Sequence, residues 1–370
     1  MRLEAVDLRR IGMPLVAPFE TSFGVQHERD ILLVKAITSE GEGWGECVAG
    51  EEPTYSPEYV DGAQHVLAHH LLPRLFGRDL AAGDVFGLLR PVHGHQMAKA
   101  AIEMAVLDAE LKASGQSFAR RFGAVRDAVD CGVSVGIHGS VPELLETVGA
   151  YLDKGYRRIK LKIKPGWDVE PVRAVRERFG TVRLQVDANT AYSESDGPHL
   201  AKLDAFDLLL IEQPLPEEQV LGHARLARLV KTPICLDESI HSLQAAIDAI
   251  ELHACAIINI KPGRVGGYLE AMRIHDLCAK HSIPVWMGGM LETGLGRAGN
   301  VAMAAMPNFT LPGDTSASDR YYHHDITEPF VLHDGRLRVP TGPGLGVRID
   351  EARLDEVTTS VEMIEPITAG

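Results

Sequence analysis

A chain of 370 residues with 45% hydrophobic side chains is long enough to bury one large core with a subdomain added to it. Its 51 acids against 37 bases leave a net charge of −14, which argues against nucleic acid or an anionic membrane as a partner; any anion it binds must be met by a local cation. No apolar run approaches the roughly 20 residues of a membrane span, Met1-Arg2-Leu3-Glu4 leads into strand-like sequence without a signal-peptide pattern, and the five cysteines (Cys47, Cys131, Cys235, Cys255, Cys278) lack CxxC spacing. A cytoplasmic enzyme with reduced core thiols is expected.

Residues 1 to about 48 alternate in three short strand-like pieces, LEAVDLRRIGMPL, DILLVKAIT and GWGECV, as a small antiparallel sheet would. Between the first two, Pro18-Phe19-Glu20-Thr21-Ser22-Phe23-Gly24 reads as a loop carrying two phenylalanines, a candidate lid near residues 16–24. Helical patterns follow to about residue 122, and AKAAIEMAVLDAELKASG, ending on Gly115, has the composition and terminal glycine of a well-formed helix. His65 and His69 stand four apart on a helical stretch without a Glu or Cys partner, and read as surface histidines rather than a zinc site.

From Asp130 the pattern becomes strand then helix: CGVSVG, RIKLKI, RLQVD, DLLLIE, PICLD, AIINI, PVWMGG and FTLPG, separated by helical sequence such as VPELLETVGAYLDKG and YLEAMRIHDLCAKHS. Eight such units specify a TIM-type (β/α) barrel with its chemistry at the carboxyl ends of the strands. After Ile326 a hairpin style returns, with Phe330-Val331-Leu332 and Arg336-Leu337-Arg338-Val339 flanking His333-Asp334-Gly335. The expected organisation is an α+β capping domain over 1–125, a (β/α) barrel over 126–325, and a tail over 326–370 that rejoins the N-terminal sheet.

Charged residues recur at the strand ends of this block. Asp187, Glu212 and Asp237 are 25 residues apart and Lys261 follows after 24, about one strand-loop-helix unit each. In Ile159-Lys160-Leu161-Lys162-Ile163 the period of two sends the aliphatic side chains one way and both lysines the other, into the centre of the barrel. Buried ammonium groups need negative charge nearby, and the three acids are the natural counter-charges. Three converging carboxylates repel one another unless a cation joins them, and oxygen ligands without His or Cys suit Mg²⁺ before Mn²⁺ or Ca²⁺. The competing reading is that each acid caps the helix after its strand.

These residues carry a resemblance. The KLK pair at Lys160/Lys162, the acids of VDAN, IEQP and LDES, and the lysine of INIKPGRVGG resemble the muconate-lactonizing subgroup of the enolase superfamily. With MPLVAPFETSFG, EGWGECV, MAKAAIEMAVLDAEL, GGMLETGLGRA and LPGDTSASDRYY, nearly the whole chain is similar to the N-acylamino acid (N-succinylamino acid) racemase and o-succinylbenzoate synthase family. The resemblance implies a cap made from both chain ends, Mg²⁺ on Asp187, Glu212 and Asp237, and Lys162 and Lys261 as bases that remove a proton next to a carboxylate. Lys160 and Asn189 are expected to tune them from behind. Bases on opposite faces would racemise, whereas one acting lysine beside a cationic one would carry out syn dehydration to o-succinylbenzoate. The substrate pocket is expected to draw on Phe19, Phe23, Ser134, Met287, Gly289, Met290, Asp314 and Tyr321. A homo-oligomer acting on a small-molecule carboxylate is the expected working form.

Two motifs point to other chemistry. Gly294-Leu295-Gly296-Arg297-Ala298-Gly299 matches the GxGxxG of dinucleotide-binding oxidoreductases, but it comes late and no βαβ unit with an acid ending its second strand follows. Gly132-Val133-Ser134-Val135-Gly136 matches the GxSxG of serine hydrolases, but the serine lies inside a strand rather than at a strand-to-helix turn.

Overall fold

Two sheets of opposite character organise residues 1–366, the part of the chain that the computed structural model describes. The antiparallel sheet contains β1 (Leu3–Thr21), β2 (Gly24–Thr38) and β3 (Gly41–Cys47). Its first two strands are far longer than the short pieces expected, and Phe19 lies in β1 rather than in a loop; only Ser22 and Phe23 form the turn, with Thr21 paired to Gly24. The pairing of β1 with β2 slips between Pro14 and Phe19, where Pro14 and Pro18 have no N–H to donate. Val16 inside that slip donates its N–H to the Tyr321 carbonyl at 2.9 Å, so this arm of the hairpin is tied to the segment that follows Gly313.

Helix Gln96–Ala113 packs on β3. A Cβ at Gly43 or Gly45 would collide with the backbone of Ala105 and Ala109 or of Ala101, which is why EGWGEC carries glycine at those positions. The buried Asp108 carboxylate of this helix accepts the Trp44 N–H at 2.8 Å.

The short strand β4 (Ala128–Asp130) precedes a seven-stranded parallel sheet: β5 (Gly132–Val135), β6 (Arg158–Lys162), β7 (Leu184–Asp187), β8 (Ile211–Glu212), β9 (Ile234–Leu236), β10 (Ile257–Ile260) and β11 (Val285–Met287), each paired with the next. Helices such as Val141–Asp153 and Tyr268–Lys280 stand where the sequence puts them. The eighth expected strand, FTLPG, is irregular because Pro312 cannot donate. It reaches both edges of the sheet by isolated contacts: Thr310 N–H donates to Val285 O at 3.2 Å and Gly132 N–H to Gly313 O at 2.7 Å.

The tail differs from expectation in one respect. Arg336–Arg338 (β12) does turn back at Asp334-Gly335, but it pairs with β4 beside the start of the parallel sheet. The segment that joins the N-terminal sheet is β13 (Thr358–Ile364), antiparallel to β1. Among the described residues no helix is long and apolar enough to cross a membrane, and all five cysteines are free.

Candidate active site

Register brings the charged residues into one row. Lys162 pairs with Asp187 and Asp187 with Glu212 across β6, β7 and β8, while Asp237 and Lys261 come directly after β9 and β10. All five are buried, and the three acids are at most 1% exposed. The Lys162 ammonium donates to Asp187 Oδ2 and Asn189 Oδ1, both at 2.6 Å. Lys160 sits between Asp187 and Glu212 at 3.2 Å from each and 2.8 Å from Asp314, with its charge 4.9 Å from the Trp286 ring centroid. Lys261 donates to Asp237 Oδ2 at 2.7 Å and to the Tyr55 hydroxyl at 3.0 Å, and Arg264 pairs with the other Asp237 oxygen. Asn259 donates to Glu212 Oε1 at 2.7 Å.

This burial makes the lysines unequal. Burial opposes the charge on Lys160, but Asp314, Glu212 and Asp187 outweigh it and hold the pKa above its ordinary value. Burial lowers the pKa of Lys162, with Lys160 adding to the effect and Asp187 opposing it. At Lys261 burial is outweighed by Tyr55, Glu238 and Glu212, and the pKa rises. Burial and the charge of Asp187 push Glu212 up.

Several participants were not singled out from the sequence. Glu238 receives Asn189 Nδ2 on one oxygen at 2.9 Å, its other oxygen is buried without a partner, and burial with Asp187 pushes its pKa to about 7. The LDES motif contains it, one residue past the strand-end acid. Arg264 stands in INIKPGRVGG, three residues past Lys261, whereas Tyr55 has no local signal, since it comes from the N-terminal domain and meets Lys261 206 residues away in the chain.

A cavity of about 410 Å³ opens onto this row. Of the residues expected to touch substrate, Phe19, Phe23, Gly289 and Met290 line it together with Lys162, Asn189 and Lys261. The other four stand elsewhere. Met287 is 1% exposed in the core, Asp314 is taken up by Arg158 and Lys160 at 2.8 Å each, and Tyr321 is held between the guanidinium groups of Arg297 and Arg320. Ser134 is buried within β5 and its hydroxyl has no partner. The hairpin tip is fastened over the cavity: the Ser22 hydroxyl donates to Asn189 O at 3.0 Å, Lys164 pairs with Glu20 at 3.2 Å, and Ile137 N–H donates to Glu20 O at 3.0 Å.

A hard cation would have to compete for the carboxylate oxygens of this row. Among the described residues no three acidic, cysteine or histidine side chains close around one point, because ammonium and guanidinium groups occupy the carboxylate oxygens. The chemistry nevertheless fits, since the buried acids offer only oxygen and Glu238 keeps one oxygen unpartnered. The helix-cap reading fails for Glu212 and Asp237, whose oxygens go to distant side chains; Asp187 keeps one local contact, Oδ1 accepting the Asn189 N–H at 2.9 Å, while its Oδ2 meets Lys160 and Lys162.

The competing motifs have packing explanations. GLGRAG lies in the buried helix Gly294–Ala304, where a Cβ at Gly299 would strike the Tyr268 hydroxyl. Its N-terminus, the place for a dinucleotide phosphate, is filled by Glu46, which accepts from Thr293 N and Gly296 N at 3.0 Å each. His65 and His69 are exposed, with ring centroids 4.5 Å apart.

A row of buried acids and lysines at the carboxyl ends of parallel strands, roofed by a hairpin from a second sheet, defines an α/β enzyme working on a small molecule. Residues 143–353 match the enolase C-terminal domain-like family, and residues 5–123 match the mandelate racemase / muconate lactonizing enzyme N-terminal domain. An N-succinylamino acid racemase from Amycolatopsis sp is 67% identical over 97% of this chain and 98% of that one. An o-succinylbenzoate synthase from Geobacillus kaustophilus is 46% identical over 97% and 96%. A solved enolase superfamily member from Listeria innocua superposes with a TM-score of 0.95 at 41% identity, covering 99% of both chains. The chain belongs to the mandelate racemase / muconate lactonizing enzyme family of the enolase superfamily, as the strand-end motifs suggested, and membership implies a divalent metal.

Proposed function

We propose that this enzyme removes the proton α to the carboxylate of an N-acylamino acid with the lysine pair Lys162 and Lys261. Racemisation of N-succinylamino acids is its main activity and o-succinylbenzoate synthesis a second one. The carrying observation is that two buried lysines from β6 and β10, strands separated by three others, reach one cavity. Taken as a closed eight-stranded barrel over 126–325, capped by 1–125 and 326–370, those strands stand on opposite sides.

Asp187, Glu212 and Asp237 would hold Mg²⁺, with Mn²⁺ able to substitute. The bound cation supplies positive charge to the substrate carboxylate as the α-proton leaves. The residues do the rest. Lys162, with its lowered pKa, is suited to accept the proton, and Lys261, with its raised pKa, to deliver one to the opposite face. Racemisation needs one amine and one ammonium, and the charges around the row support that state. Asp187, Glu212, Asp237, Glu238 and Asp314 stand against Arg158, Lys160, Lys162, Lys261 and Arg264. With Glu238 ionised, a divalent cation and one substrate carboxylate add a net positive charge, which is removed when one lysine is neutral. Asn189, donating to Glu238 and accepting from Lys162, orients the Lys162 amine.

The synthase reading has its own support in the o-succinylbenzoate synthases similar to this chain and in the raised pKa of Lys261, which suits a lasting cation. Chiral chromatography of an N-succinylamino acid incubated with the enzyme and Mg²⁺ tests the choice. Conversion of either enantiomer to a racemate supports the main reading. Inertness toward both, with turnover of the synthase substrate, replaces it by the second.

A further inference from the structure

Arg29 stands on β2 on the same face as Ile31 and Leu33, core residues that are 0% exposed. It is itself 3% exposed, yet it forms no ion pair among the described residues. Its Nη2 donates only to the carbonyls of Val48 and Ala49, at 3.3 and 3.4 Å, and its Nε is buried without a partner. A guanidinium has five N–H donors, so two long bonds to neutral oxygens leave its charge largely uncompensated, an expensive condition inside a protein. The buried cations of the strand-end row each have a carboxylate, and Arg297 and Arg320 have the Tyr321 ring. Arg29 has neither, and it lines the same cavity as Lys162 and Lys261.

We infer that Arg29 is an anion subsite for a second carboxylate of the substrate, the one at the far end of a succinyl chain. This rests on the reaction proposed above and adds to it. N-succinylamino acids and o-succinylbenzoate, the product of the second reaction, share a four-carbon chain ending in a carboxylate that neither reaction alters, so one guanidinium reading that end serves both reactions of one site. Its planar fork suits a carboxylate taken by two parallel hydrogen bonds. A buried cation also answers the charge problem of a chain at −14. Glu28, Glu51 and Glu52 line the same cavity and oppose a dianion, but they are exposed and screened by water and salt.

The test compares an N-succinylamino acid with its succinamoyl counterpart, in which a neutral amide replaces the terminal carboxylate. The enzyme is expected to favour the acid by about 10- to 100-fold in kcat/KM, mostly through KM. Arg29→Gln should cut that ratio to about threefold or less, and Arg29→Lys should restore part of it. No preference in the unmodified enzyme overturns the assignment without any variant, as does a preference that survives Arg29→Gln. Titration calorimetry of both ligands reads the same preference without turnover. Absence of α-proton exchange with either ligand therefore counts against the proposed reaction, while the binding ratio still decides the role of Arg29.

Discussion

The strand-end row and the hairpin above it are built on different terms. In the row, Lys160, Lys162 and Lys261 are each held by carboxylates at 2.6–3.2 Å on neighbouring strands of one sheet. On the hairpin side, the ties to the rest of the chain include a serine hydroxyl, a half-exposed ion pair, two backbone bonds and the Arg320 guanidinium over the Phe19 ring, and Phe23 at the tip is 36% exposed. A buried ionic row cannot lose one member cheaply, because the partner is left charged and unpaired. A hairpin held by neutral and screened contacts can be altered one bond at a time. The row is therefore suited to fix the reaction, and the hairpin to set what is accepted.

Breaking the row should have the largest effect. Glu212→Gln is expected to lower turnover by about a thousandfold or more and to weaken Mg²⁺ binding with it. Calorimetric Mg²⁺ titration, with circular dichroism to check the fold, measures both; tight Mg²⁺ binding in this variant would remove Glu212 from the metal site. Phe19 tests the hairpin. It is 8% exposed and lies under the Arg320 guanidinium, so Phe19→Ala should cost about 3 kcal/mol of stability and raise KM by about tenfold with a smaller fall in kcat. Equal falls in kcat and kcat/KM would assign it to the chemical step instead. Ser22→Ala removes one hydroxyl bond to Asn189 and should change kcat/KM by about threefold to tenfold; steady-state kinetics unchanged within error would show that this contact does not help hold the tip.

The smallest effect concerns the joint between the two sheets. Glu46 on β3 and Glu103 on helix Gln96–Ala113 accept backbone N–H groups at the starts of helices Gly294–Ala304 and Tyr268–Lys280. Burial pushes both carboxyls up to about 7 from 4.5. Between those values the folded protein holds protons that the unfolded chain has released, so this contribution is full below about pH 4.5 and is lost as pH rises through about 7. His223, buried and lowered to about 4, works in the opposite sense. The informative quantity is therefore the Tm difference between the wild type and Glu46→Gln, which should move against the wild type from pH 5 to pH 8. A constant difference would mean that Glu46 does not titrate there.

What could be read from the sequence follows the same division. Lys160, Lys162, Asp187, Glu212, Asp237 and Lys261 announce themselves because a strand of period two and a repeat of about 25 residues leave them no packing role. Nothing local marks Tyr55 or Arg29, whose neighbours are set by how the antiparallel sheet lies over the parallel one. Met287 and Tyr321 look like pocket residues because they flank strand ends, yet one packs in the core and the other is held between two arginines. In the tail, β12 has the turn of a hairpin but finds β4, and β13, exposed along most of its length, has too weak a pattern to be picked out.

Proton NMR of each N-succinyl enantiomer in D₂O, with Lys162→Ala and Lys261→Ala, tests the two-lysine site most directly. In the proposed arrangement each lysine would reach only the hydrogen on its own face of the α-carbon. Both variants should stop racemising, and each should still exchange the α-proton of one enantiomer, a different one in each variant. A variant that racemises at the wild-type rate, or two variants that exchange the same enantiomer, would contradict the assignment of one lysine to each face.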